Sequence, residues 1–201
     1  MPKKLKIAIT GGIGSGKSAV CDIFHSNGYP IFYADNISKE FLSTDKSIKE
    51  KIINEFGKES FLNDKPNFKY LSERVFSEEL KVKKINSILH PPVIDKVKKL
   101  MNEELKKQTI VFVEAALIYE AEMEDLFDYI IVVTAPDEIR IQRVIESRGL
   151  KKEEAIERIS KQIPQERKKK LADFVIENNS TMDDLVKKTN FILMILKSMT
   201  K

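Results

Sequence analysis

Lys6-Ile7-Ala8-Ile9-Thr10-Gly11-Gly12-Ile13-Gly14-Ser15-Gly16-Lys17-Ser18 governs the architecture of this 201-residue chain. A short apolar run stops at glycines, and Ala19, Val20, Ile23 and Phe24 then recur at helical spacing, which reads as strand, glycine loop, helix. Residues 11–18 satisfy the pattern Gly, any four residues, Gly, Lys, then Ser or Thr, in the strand-to-helix setting that gives the pattern its meaning. With only 7 glycines in the chain, this match is a poor candidate for a chance glycine turn with an exposed lysine. Glycines let successive amides curl around a phosphate while the following helix points its positive dipole end there. The expected ligands are therefore ATP, held by Gly11, Gly12, Ile13, Gly14, Ser15, Gly16, Lys17, Ser18 and Ala19, and Mg2+. Lys17 would reach the β- and γ-phosphates and the Ser18 hydroxyl would meet the metal ion. Kinases, GTPase switches, motors and transporter subunits share this loop, so the rest of the chain has to choose among them.

Outward from the loop, Gly28 and Pro30 end the first helix, and Ile31-Phe32-Tyr33 reads as a second short strand leading to Asp35. The apolar runs 110–113, 129–133 and 174–176 read as three more strands, separated by segments of helical period. Short apolar strands alternating with helices predict an α/β fold, a P-loop NTPase with a five-stranded parallel sheet flanked by helices. Between residues 36 and 108 no core strand is expected; Ile48, Ile52, Ile53, Phe56, Val75, Leu80, Ile85, Ile88 and Leu89 recur at helical spacing instead. The segment 137–170 carries Arg140, Arg143, Arg148, Arg158 and Arg167 on helix-forming sequence broken by Gly149 and Pro164, as a mobile lid or a solvated helix face would. Leu185, Val186, Ile192, Leu193 and Leu196 give the tail one apolar face, suited to a closing helix. The expected organisation is a nucleotide-binding core of residues 1–36, 90–136 and 171–201, a helical insertion of residues 37–89 and a helical lid of residues 137–170.

Composition narrows the function. A chain with 42% hydrophobic and 33% charged residues is a globular protein rather than a disordered or fibrous one. Cys21 stands alone, so neither a disulfide nor a thiolate metal site is expected. No apolar run approaches the roughly 18 residues that span a bilayer, and Met1-Pro2-Lys3-Lys4 leads into a strand rather than a signal-peptide core. A cytoplasmic protein without membrane attachment is expected. The net charge of +4 is mild, Trp is absent and no aromatic residues interleave with a basic stripe, which argues against nucleic acid. An Asn-Lys-x-Asp sequence for guanine recognition is also absent. The remaining partner is a small molecule, and the chain is expected to be a monomer or weak homo-oligomer.

Three further positions are candidates for chemistry. Asp35 follows a strand whose carboxyl end faces the same crevice as the loop, where a carboxylate can orient or accept a hydroxyl proton; it equally suits the N-cap of a helix beginning near Asn36. Glu114 ends a strand, where an acidic residue can hold the magnesium ion or its waters, or simply face solvent. His90, before Pro91 and Pro92, fits a contact to a substrate phosphate, or else a turn or packing residue. Lys168, Lys169 and Lys170 read as surface charge.

With these positions assembled, the chain resembles the dephospho-CoA kinase family nearly end to end. The resemblance is carried by residues 9–18, Ala34-Asp35-Asn36-Ile37, Arg74-Val75-Phe76, Ile88-Leu89-His90-Pro91, Arg158-Ile159 with Gln162, and Ala172-Asp173 with Ile176 and Asn178. It implies phosphorylation of the ribose 3′-hydroxyl of dephospho-CoA with ATP, and an insertion that binds the acceptor with the help of Arg74 and His90. It further implies that Asp35 engages the hydroxyl, Arg143 the γ-phosphate and Asn178 the adenine side of the nucleotide. The chain departs from the family pattern at Tyr33 and Glu114, where aspartates are usual, at Ala19 for threonine and at Arg140 for glutamine. A nucleoside monophosphate kinase, sharing core and lid, is the alternative enzyme; a regulatory nucleotide-binding ATPase is the alternative of another class.

Overall fold

The computed structural model describes residues 2–75 and 78–201. Phe76, part of one family-like segment, lies outside them. The five predicted strands form one parallel sheet in the order β2-β5-β1-β6-β7, with β1 at Leu5–Thr10, β2 at Ile31–Tyr33, β5 at Ile110–Glu114, β6 at Tyr129–Thr134 and β7 at Phe174–Glu177. The middle strands β5, β1 and β6 are apolar almost throughout because helices cover both faces of a parallel sheet. Leu5, Ile7 and Ile9 are fully buried, as are the β5 residues Ile110, Val111, Phe112 and Val113.

Helix α1 (Lys17–Ser26) buries Val20, Cys21 and Phe24, and Phe24 stacks on Phe112 with ring centroids 4.3 Å apart, fixing the helix to β5. Helix α9 (Met182–Ser198) starts where the Thr181 hydroxyl accepts the Asp184 amide, and it buries Leu185, Ile192, Leu193 and Leu196. After β6 come α6 (Asp137–Arg148), α7 (Lys152–Ser160) and α8 (Gln165–Leu171). Gly149 ends α6 in the left-handed region, at φ 63°. Among the described residues no helix is long and apolar enough to cross a membrane.

The chain divides into two compact units, residues 1–33 with 100–201, and residues 34–99. The second unit contains α2 (Ala34–Thr44), α3 (Lys46–Phe56), a two-stranded hairpin of β3 (Phe61–Leu62) and β4 (Lys65–Pro66), α4 (Phe68–Val75) and most of α5 (Glu79–Glu104). Its own core joins Leu42, Ile48, Ile52, Phe56, Phe61, Leu71, Val75 and Leu89. Two expectations need correction here. Leu80 is exposed, because α5 packs through Val82, Ile85 and Leu89, and a residue two positions before Val82 sits about 200° around the helix. His90 is in no turn: α5 runs through Pro91 and Pro92, although their missing amides forfeit the bonds to the Ser87 and Ile88 carbonyls.

Candidate active site

The parallel register brings Tyr33, Glu114 and Ile9 side by side, so the carboxyl ends of β2, β5 and β1 share one edge of the sheet. The chain runs from β1 to the β5 side through β2 and later to the β6 side, so β1 stands where the winding reverses, the usual crevice of an open α/β sheet. Gly11 to Gly16 leave β1 at that point. Gly16, at φ 94°, turns the chain into α1, and among the described residues no side chain caps the helix. The first intrahelical bond is Val20 N–H to Gly16 C=O, 3.3 Å, which leaves the amides of Lys17, Ser18 and Ala19 without a helical acceptor, the arrangement that attracts an anion. Ala19 packs its methyl on the core and offers only its backbone.

Around this loop the structure gathers charges from distant parts of the sequence. The Lys17 ammonium donates to the Gly11 carbonyl at 3.0 Å and lies 3.6 Å from Glu114. Ser18 is exposed, and the Ser15 hydroxyl is buried with no hydrogen-bond partner among the described residues. Arg143 of α6 points its guanidinium toward the Ser15 carbonyl at 3.5 Å and the Asn178 side-chain oxygen at 3.4 Å, and the Asn178 amide donates to the Ser15 carbonyl at 3.0 Å. A Cβ on Gly16 would fall into that amide, so only glycine fits there. Cys21, below the loop, is a core side chain: burial, followed by the Glu114 charge, pushes its thiol up.

The sequence did not mark two further contacts. Arg140 is buried; its Nε donates to the Ile13 carbonyl at 3.0 Å and its NH1 to Asp137 at 2.8 Å. Burial lowers the guanidinium pKa, and the Asp137 hydrogen bond opposes that shift. Gln162 accepts the Ile13 amide at 2.8 Å. The signal available was the i, i+3 spacing of Arg140 and Arg143, which puts both on one helix face.

Lys168 contradicts the surface-charge reading. Its side chain is 1% exposed, pairs with Glu120 at 2.8 Å and donates to the Ala116 carbonyl at 3.2 Å. The Thr10 hydroxyl, directly before the loop, donates to the same carbonyl at 3.3 Å. A lysine stem can cross apolar packing to reach a buried carboxylate, and a run of three lysines does not reveal which one does so.

The remaining candidates belong to the second unit. Asp35 lies in the first turn of α2, two residues beyond the strand end that registers with Glu114. The helix starts at Ala34, ahead of the expected Asn36, and the exposed Asp35 carboxylate makes no hydrogen bond or ion pair among the described residues. It is therefore not an N-cap. Arg74 is exposed in the last turn of α4. Burial lowers the pKa of His90, favouring its neutral form.

For a hard cation, the loop edge offers the Ser18 hydroxyl and the Glu114 carboxylate. No group of three or more His, Cys, Asp or Glu side chains among the described residues could hold a metal by itself. That donor set fits Mg2+, which keeps waters and takes phosphate oxygens alongside one or two protein ligands.

Sheet order and loop together define a P-loop nucleotide-binding protein, and the arginines brought to the loop suit phosphoryl transfer. The model of the dephospho-CoA kinase family matches residues 5–184. A dephospho-CoA kinase of Fusobacterium nucleatum is 38% identical over 183 residues, covering 90% of this chain and 93% of the relative. Among solved structures, a Thermus thermophilus protein superposes with a TM-score of 0.81 at 31% identity over 99% of this chain and all of that one. The dephospho-CoA kinase from Campylobacter jejuni superposes with a TM-score of 0.72 at 29% identity over 96% and 98%. The chain belongs to the dephospho-CoA kinase family.

Proposed function

We propose that this chain transfers the γ-phosphoryl group of ATP to the ribose 3′-hydroxyl of dephospho-CoA, giving CoA and ADP. Asp35 orients the hydroxyl and receives its proton as the oxygen attacks the γ-phosphorus in line, and the bond from that phosphorus to the ADP oxygen breaks. Lys17 and the loop amides draw negative charge toward the β- and γ-phosphates, and Arg143 adds a second cation as charge builds. Asn178 lines the adenine side. Ser18 and Glu114 would hold Mg2+, which would supply neutralisation of the charge that builds up during phosphoryl transfer. The insertion, residues 37–89, takes the acceptor through Arg74 and His90, and residues 137–170 close over the phosphates to exclude water. The enzyme works in the cytoplasm as a monomer or weak homo-oligomer, on a small molecule rather than nucleic acid.

The observation that carries this reading is the family match, which runs from residue 5 to residue 184 and so includes the insertion that would select the acceptor. Among the described residues the Ser15 hydroxyl inside the loop has no hydrogen-bond partner and no side chain caps α1, and both support the nucleotide half. A panel of acceptors assayed for ADP release is the test. Dephospho-CoA should turn over at least about a hundredfold better than AMP or CMP, a gap of roughly 3 kcal/mol in transition-state binding. Turnover of AMP or CMP with dephospho-CoA inert would replace this reading with a nucleoside monophosphate kinase.

A further inference from the structure

Ile13 sits in the middle of the phosphate-binding loop, and both of its backbone groups are taken by side chains more than a hundred residues away. Its amide donates to Gln162 at 2.8 Å, and its carbonyl accepts the Arg140 Nε at 3.0 Å. A loop with glycine at 11, 12, 14 and 16 has more conformational freedom than one built of residues with side chains, so ordering it carries a large entropy cost. We propose that Arg140 and Gln162 are positioning residues that hold the loop in its phosphate-gripping shape by clasping Ile13 from both sides. They restrain the loop before nucleotide arrives, so that the binding energy of the phosphates is not consumed in ordering it.

Arg140 is built for this. Its fork is divided, Nε to Ile13 and NH1 to Asp137, so the guanidinium is fixed at two points. Asp137 is itself held by the Gln165 side chain at 3.1 Å, and Gln165 bonds both backbone groups of Ala135, at 2.9 and 3.2 Å. A Cβ on Gly12 would run into the Arg140 guanidinium, and one on Gly14 would lie 2.5 Å from the Arg140 carbonyl. The loop therefore meets the Arg140 side chain through Gly12 and the backbone at position 140 through Gly14, both approaches that a Cβ would obstruct. Because the two clasping side chains come from α6 and from the segment after α7, loop order and the seating of that region are coupled, and each tightens the other.

The inference rests on the nucleotide half of the proposed function and is independent of the acceptor. Calorimetric ADP binding by the wild type, Arg140→Met, Arg140→Lys, Gln162→Leu and the Arg140→Met/Gln162→Leu double variant tests it, with circular dichroism to confirm folding. Each single apolar variant should raise the Kd for ADP about tenfold, the effect of losing one hydrogen bond to a restrained loop. Arg140→Lys should not restore affinity, because an ammonium lacks the fork that spans Ile13 and Asp137. The double variant should lose less than the product of the single losses, since both act on one residue. In turnover, the KM for ATP should rise while the KM for dephospho-CoA stays within about twofold. If Arg140→Met fails to fold, Gln162→Leu decides alone. Single-variant affinities within about twofold of wild type, or full rescue by lysine, would overturn the clasp. A wild type that binds no ADP would overturn the nucleotide reading as well, whereas failure with dephospho-CoA alone would leave the clasp standing.

Discussion

Lys17 is placed to stabilise the proposed transition state: its ammonium lies 3.0 Å from the Gly11 carbonyl and 3.6 Å from Glu114. Lys17→Ala should lower kcat by roughly a hundredfold to a thousandfold, the range for removing one preorganised charge from a developing anion, with the thermal unfolding midpoint little changed. Steady-state kinetics and a thermal scan on the same preparation check both halves. Asp35 is exposed and makes no hydrogen bond or ion pair among the described residues, so Asp35→Asn should reduce kcat by at least about a hundredfold while leaving the Kd for ATP within about twofold. Unchanged turnover in that variant would remove Asp35 from the mechanism. Lys17, Ser18 and Glu114 were legible because each lies at a strand end or inside a motif whose spacing is local. Arg140 was not, because its partner Ile13 is 127 residues away and a helical arginine looks the same in sequence whether it is solvated or seated on a loop. Lys168 was misread for the same reason: neighbouring lysines share a composition, and only packing separates the buried one from the others.

At the scale of elements, the five strands were legible because each is an apolar run with a glycine, proline or charged residue at its ends. The shortest, 31–33, begins and ends where the sequence placed it. Signals that normally stop an element misled at α5, where His90-Pro91-Pro92 stands inside one helix held by Leu89, Val93 and Val97 on its buried face. The hairpin at residues 61–66 was invisible, since two-residue strands carry no period; its turn depends on Asn63 and Asp64 at φ 48° and 64°. Two glycines with positive φ separate conformation from space. Gly149, at φ 63° with nothing within 4 Å of an added Cβ, should accept alanine at a cost of about 1 kcal/mol, which is the left-handed penalty alone. Gly16 meets the Asn178 amide as well, so Gly16→Ala should cost more than about 2 kcal/mol and also weaken ADP binding. Denaturant titrations of the two variants side by side check the order; equal losses would show that the Asn178 contact carries no weight.

At the scale of the molecule, the doubly wound order β2-β5-β1-β6-β7 follows from strands that alternate with helices, and it puts the loop at the reversal point of the winding. The sequence also marked residues 36–108 as lacking a sheet strand, and residues 34–99 form a compact unit with its own apolar core. Neither property selects an acceptor, because the same core serves many phosphotransferases. The family match does so, and the central claim is therefore chemical: an adenine nucleotide gripped at residues 11–18 donates its terminal phosphate to a ribose hydroxyl. The direct measurement is transfer of labelled γ-phosphate from ATP to dephospho-CoA, with the position of the label in the product assigned by NMR. Label at the ribose 3′ position, dependent on divalent metal and lost with Lys17→Ala, is the predicted result. Label released only as inorganic phosphate, or carried by a nucleoside monophosphate while dephospho-CoA remains unmodified, would contradict it.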